Sequence, residues 1–301
     1  MSVDTDIGID IPAAAAFLAG HGRLVDRRRF ALVTGASDDV DGVLAAMDSY
    51  RNADGGYGWG FEPDLRSSES QPTAGMHAFE VMVEAGAAAA SRAVALCDWL
   101  ATVTLPDGGL PLTLPVTNPA ACASFWLGAD PTVSTLQMTA QVAANALRVA
   151  DHVPAVADHR WLGRAIGWCV DAIDAIDAAP YPHELLFAVR FVGALGAVDR
   201  GRATALLGRL SPYLPPDCVV PVAGGAPDEA LRLFDFVTRP DGIVRDLFTD
   251  EVVATELDRL ARGQQPDGGW TVDFDAASPA AALEWRGYAT VGAVATLTAT
   301  W

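Results

Sequence analysis

Apolar residues recur at helical spacing along most of the chain. The spacing predicts helices over roughly 11–20, 38–51, 71–88, 89–103, 132–150, 158–177, 182–197, 198–211, 226–238, 249–263 and 279–299. Most of these segments are bounded by Pro, Gly or Asp, the residues that stop and start helices. No segment alternates as a half-buried strand does. Leu110–Val116, LPLTLPV, comes nearest, and its prolines make it a loop. The reading is an all-α chain.

The helices are of two kinds. VDGVLAAMDSYRN (from Val40) and EVVATELDRLARG (from Glu251) carry their charges on one face and belong on the outside. TAGMHAFEVMVEAGAAAA (from Thr73), TAQVAANALRVA (from Thr139) and ATVGAVATLTATW (from Ala289) are apolar nearly all round. Such helices belong among other helices. Alternation of the two kinds implies two concentric layers.

Tight turns punctuate this alternation. Asp-Gly-Gly recurs at Asp54, Asp107 and Asp267, and a weaker PPDC turn holds Asp217. The spacings are near fifty residues or twice that, which places a degenerate unit near Asp158 and Trp161. Glycine permits the positive φ that such a turn needs, and Asp accepts from a backbone N–H two residues on. The helices that follow also echo one another. Gln71 and Gln137 each open a Gln-x-Thr-Ala run, and the segment from Tyr288 is a looser copy. Each unit therefore reads as outer helix, turn and inner helix, in a single domain over residues 1–301.

One turn, QQPDGGW from Gln264 to Trp270, resembles the QW motif of squalene-hopene cyclases and related class II terpene cyclases. Protein prenyltransferase β subunits have similar repeats. The resemblance implies an (α/α)6 toroid, a barrel of about six helix pairs. It also implies proton-initiated cyclisation of an isoprenoid or similar apolar substrate in a central cavity. No organic cofactor is implied, and Mg enters only if the substrate carries a diphosphate. The cyclases protonate with a D-x-D-D motif ahead of Thr-Ala; here Gln71 or Gln137 stands in the acid's place, and VDFDAA from Val272 lacks the last Asp. The architecture alone also fits a carbohydrate-active (α/α)6 enzyme or a non-catalytic toroid that binds lipid or protein.

Composition narrows the chemistry. The net charge is -18, so a nucleic-acid partner is not expected. All 20 basic residues are Arg. Without Lys there is no Schiff-base chemistry and no Walker A lysine. Cys97, Cys122, Cys169 and Cys218 form no CxxC pair and read as free thiols. IPAAAAFLAG precedes RLVDRRRF, the reverse of a secretory signal, and no apolar run is long enough for a transmembrane segment. A cytoplasmic protein is expected, with disorder confined to the first few residues and its oligomeric state open. No metal site is read: the five His residues are scattered, and HELLF at His183 lacks a second His.

Two polar stretches carry the candidate chemistry. In GFEPDLRSSESQPTAGMH, either Asp64 or Glu62 is an acid at the cavity mouth, or both buttress the turn. Asp64 beside Arg66 would be ionised; over apolar surface its pKa would rise. Arg66, Gln71, Thr73 and His77 accompany them as substrate-binding candidates. In FDAASPAAALEWRGYAT, Glu284 is a third candidate acid and Arg286 could hold an anion such as diphosphate. Trp285 and Tyr288 could face a cation through their rings. Alternatively Glu284 and Arg286 form a structural pair. Gln137, Thr139, Gln141 and Asn145 lie along one helical stripe and either dress the cavity or bond to neighbours. His183, Glu184 and Arg190 stand at another helix start, and 226–238 reads as a solvated or partner-facing helix.

Overall fold

The structure, a computed structural model, describes residues 8–301; the expected disorder of the first few residues lies outside them. The helices are α1 (Ile11–His21), α2 (Leu24–Val33), α3 (Val40–Asp48), α4 (Pro72–Ala85), α5 (Ala90–Val103), α6 (Ser124–Leu127) and α7 (Leu136–Ala150). They continue with α8 (Pro154–Ala157), α9 (Arg160–Asp174), α10 (Pro182–Leu195), α11 (Arg200–Leu210), α12 (Leu233–Phe236), α13 (Asp250–Arg262) and α14 (Pro279–Thr298). The fold is all-α apart from a two-residue antiparallel pair, Val220–Pro221 with Ala230–Leu231. None of the described helices is long and apolar enough to cross a membrane.

The one-turn α6 and α8 lie outside the expected helices, and two longer segments depart from the sequence expectation. α2 was not expected, because LVDRRRF has no apolar stripe. It forms because its inward charges are paired: Asp26, fully buried, accepts from Arg23 at 2.7 Å, and Arg29 grips Glu84 with two hydrogen bonds of 2.7 and 2.8 Å. In the other direction, 226–238 is not one helix. Its first half is a hairpin edge, and only α12 is helical, with Leu233 and Phe236 buried rather than facing solvent or a partner.

Two of the three apolar helices are enclosed as expected. In α4, 11 of 14 residues are buried, and in α7 it is 12 of 15. α4 packs on α7, and α7 on α10. α3 and α5 are amphipathic and pack on α4, as do α9 on α7, α11 on α10 and α13 on α14. α14 packs on α1 and α2 but is only half buried, less enclosed than its composition implied.

The turns do what their chemistry requires. Asp54, Asp107, Asp217 and Asp267 each accept from the backbone N–H two residues on, at 2.9–3.2 Å. The first glycine has φ of +93°, +104° and +91° in the three full turns, and in the weak turn Cys218 takes that place at +52°. Each full turn then docks on a helix other than the one it ends. Gly55 and Gly56 lie on Ala95 and Trp99 of α5, and Gly108 and Gly109 on Arg164 and Trp168 of α9. Gly268 and Gly269 lie on Ala13 and Phe17 of α1. A side chain at Gly56, Gly109 or Gly269 would come within 2.6–2.7 Å of the aromatic ring. The turn that follows the penultimate helix thus rests on the first one.

Asp158 is not such a turn. It caps the one-turn α8 before α9, and the chain between α9 and α10 turns instead near Ile176–Tyr181. The repeat register also differs from the Gln-x-Thr-Ala alignment. Ser70 and Ser134 both donate to the turn aspartates (2.8 and 2.7 Å), and the next amides, of Gln71 and Thr135, donate to Tyr57 and Leu110. Gln71 therefore corresponds to Thr135, two residues before Gln137. The hydrogen bonds from the turn set this register, not the shared letters.

Candidate functional site

Four polar residues interrupt the apolar surface of α4. Thr73, His77, Glu80 and Glu84 follow one another at the spacing of a single helical stripe, which faces α2 and α14. Glu62 and Asp64 are delivered to the same place by the loop after the first turn, and both are buried.

His77 is the hub. Its Nε2 lies 3.0 Å from Glu62 Oε2, and its Nδ1 lies 3.0 Å from Glu80 Oε2. Burial opposes the imidazolium, but the two carboxylate hydrogen bonds outweigh it and raise the pKa to about 9. Burial also opposes ionisation of Glu80; His77, Arg29 and Arg190 overcome this and hold it at about 2. The Tyr288 hydroxyl donates to Glu80 at 3.0 Å, and burial with the nearby Glu80 charge pushes that phenol well above its ordinary range. Thr73 donates to Glu62 at 3.3 Å, and Arg29 lies over the Tyr288 ring at 5.7 Å.

Asp64 sits beside this chain without a cation. Arg66 does not reach it, contrary to the sequence expectation. Instead Arg66 makes a two-pronged pair with Glu284 at 2.6 and 3.1 Å. Asp64 accepts from the Ala277 amide at 2.6 Å and from Trp285 Nε1 at 2.8 Å. Burial raises its pKa against these two bonds. Around it Trp285 meets His77, Tyr288 and Phe274 edge-on, with ring centroids 5.3–5.9 Å apart.

The remaining candidates go to structural partners. Arg286 clasps Asp267 of the last turn at 2.7 and 2.9 Å and lies 4.4 Å over Phe17, so its guanidinium is already committed. Glu284 and Arg286 therefore do not pair with each other. Gln71 embraces the backbone of Leu114, accepting at 2.9 Å and donating at 3.3 Å. Thr139 is held by the Leu110 amide at 2.8 Å. Gln137 is half-buried and stands apart from the cluster.

Glu80, Glu84, Arg29 and Asp26 were missed in the sequence. The signal was present: a polar stripe at helical spacing through an apolar helix marks a face with a polar counterpart. All four cysteines are unpaired, with Cys97, Cys169 and Cys218 buried. Among the described residues no three His, Cys, Asp or Glu side chains are grouped to hold a metal ion.

Comparison with protein-family models finds no match to this chain, and comparison with curated proteins finds none.

Proposed function

We propose that the chain is an α/α toroid of about six helix pairs and a terpene cyclase-like enzyme. In this reading it starts cyclisation of an isoprenoid-type substrate by proton transfer from Asp64. Support for the closed ring comes from the turns: the contact that joins one amphipathic helix to another also joins the last turn to α1.

The observation that carries the activity is Asp64 itself. It is a buried carboxyl with a raised pKa, deprived of Arg66 by Glu284, and hydrogen-bonded to Trp285 within a group of aromatic rings. In this reading the upward shift favours the protonated carboxyl, which can give its proton to an alkene carbon, and ring faces stabilise the carbocation that forms. The cation then loses a proton to a base, so the net reaction is an isomerisation. Glu62 and the His77–Glu80 pair fix the loop that presents Asp64. Glu284 is assigned to that scaffold through Arg66.

The test is Asp64→Asn assayed for product formation on isoprenoids of several chain lengths, with binding of the same compounds measured in parallel. Lost turnover with binding retained is expected. Undiminished turnover would remove Asp64 as donor. Binding without turnover by the unmodified protein would favour the non-catalytic toroid, a reading that draws on the fixed donors at both Asp64 oxygens.

A further inference from the structure

We infer that residues 271–278, which join the last turn to α14, form a lid over Asp64 that lifts while the turn and α14 stay in place. Asp64 is only 4% exposed. The Ala277 amide of this segment donates to its Oδ1, and Trp285 of α14 donates to its Oδ2. Both carboxylate oxygens are therefore occupied, and a ligand reaches them only where a donor withdraws. Trp285 is carried by a helix packed on α1 and α2. Ala277 is carried by a strap with almost no fastening of its own.

The argument rests on how the last unit is joined. In the first two units the chain between turn and inner helix is pinned at its end. The Gln71 amide donates to Tyr57 at 2.8 Å and the Thr135 amide to Leu110 at 2.9 Å, while Ser70 and Ser134 hold the turn aspartates. The last unit bypasses this chain. Arg286 of α14 takes both Asp267 oxygens and also the carbonyl of Trp270, the residue that corresponds to Tyr57 and Leu110. Turn and helix are thus joined directly, and residues 271–277 are left out of the joint.

Among the described residues, 271–277 make no backbone–backbone hydrogen bond. Two hydrogen bonds hold them: Ala277 to Asp64 at 2.6 Å, and the Ala230 amide to Asp273 at 3.3 Å. Burial alternates along the strap. Thr271, Asp273, Asp275 and Ala277 are exposed, and Val272, Phe274 and Ala276 are half-buried. None of the three inward residues joins the hydrophobic core; Phe274 only meets Trp285 edge-on at 5.3 Å. Few backbone bonds and little buried apolar surface are the marks of a segment that opens locally. The far end has a firm hinge, because Ser278 caps α14 by accepting from the Ala281 amide at 3.1 Å and Pro279 opens the helix. The lid rests on the reading above only for what passes beneath it.

The experiment locks the lid. Asp273→Cys with Ala230→Cys places two thiols where the Asp273 side chain meets the Ala230 amide, and oxidation with diamide joins them. Peptide mapping confirms the bond against the four native cysteines. Hydrogen exchange of the Trp285 indole, which shares the Asp64 carboxylate with Ala277, is followed by NMR in the oxidised and reduced forms. Oxidation should slow it at least tenfold, and reduction should restore it. The buried Trp161 indole, bonded to Thr104, should not change. Should the disulfide not form, Asp273→Ala removes one of the two ties and should speed the Trp285 indole about two- to tenfold. Equal rates in the oxidised and reduced forms, or in Asp273→Ala and the unmodified protein, would overturn the lid. Both forms are then titrated with isoprenoids of several chain lengths. Binding lost on oxidation and regained on reduction is expected, and binding indifferent to the lock would overturn the lid as the way in. A slowed indole in a protein whose reduced form binds no isoprenoid would keep the lid and remove the cyclase reading.

Discussion

The side-chain amide of Gln264 holds the backbone of Asp10 from both sides: the Asp10 N–H donates to Gln264 Oε1 at 2.8 Å, and Gln264 Nε2 donates to the Asp10 carbonyl at 2.8 Å. Residues 254 positions apart are joined as two peptide groups would be. The same Nε2 also reaches the Gly268 carbonyl at 3.0 Å, so one side chain ties the last turn to the start of α1. Gln264→Ala should cost about 1–3 kcal/mol, the worth of two to three net hydrogen bonds, in chemical denaturation. An unchanged midpoint would show that water replaces these bonds without loss.

Gly268→Ala should be more damaging. The position has φ of +91°, and a methyl group there would press into the Ala13 carbonyl of α1. Strain and overpacking together predict about 2–4 kcal/mol of destabilisation. Gly20→Ala, at a place with open space, is the control and should be near neutral or slightly stabilising. Equal denaturation midpoints for the two variants would mean that the last turn does not rest on α1.

Stability should fall on the alkaline side because of His77. Its folded pKa of about 9 lies above the ordinary 6.5, so the folded state binds the proton more tightly than the unfolded chain does. The contribution is complete below about pH 6.5 and is lost as pH rises through 9. Glu80 works in the opposite sense. Its folded value near 2 lies below the ordinary 4.5, so its contribution is present above 4.5 and lost as pH falls toward 2. Denaturation midpoints measured from pH 5 to pH 9.5 should decline across the upper half of that range. His77→Gln should flatten the decline, and a decline of equal depth in that variant would contradict the assignment.

Trp285→Phe removes the indole N–H from Asp64 while keeping an aromatic ring. The lost hydrogen bond favoured the carboxylate, so the Asp64 pKa should rise further above its ordinary value. Carbonyl-stretch infrared titration of the variant against the unmodified protein and Asp64→Asn reads this directly. A downward move would show that the indole was not the stabilising donor.

Arg66 and Glu284 should prove coupled in a double-mutant cycle. The pair is bidentate and partly buried, and it joins residues 218 apart. Arg66→Gln and Glu284→Gln should each destabilise, and the double variant should lose less than their sum, with a coupling of about 1–3 kcal/mol. Additive losses would mean that the two side chains do not act as a pair.

Helices and turns were legible because their causes are local. A period of 3.6 residues, a Pro or Asp at a helix start and a glycine at positive φ are all written within a few neighbouring residues. This is why α4, α7, α13 and the turns at Asp54, Asp107 and Asp267 stand where the pattern puts them. α2 was illegible for the complementary reason. Its sequence looks wet, and it is buried only because Glu84 stands ready to receive Arg29.

The candidate site divides along the same line. By itself the sequence determined that Glu62, Asp64, Arg66, His77, Glu284, Trp285, Arg286 and Tyr288 are polar or aromatic residues near buried helices. Only the tertiary structure decided their partners: Arg66 with Glu284 rather than Asp64, Arg286 with Asp267, and His77 between Glu62 and Glu80. A charge in the interior takes whichever opposite charge packing brings within hydrogen-bond reach. Packing is a property of helices far apart in the chain, so no local pattern carries it.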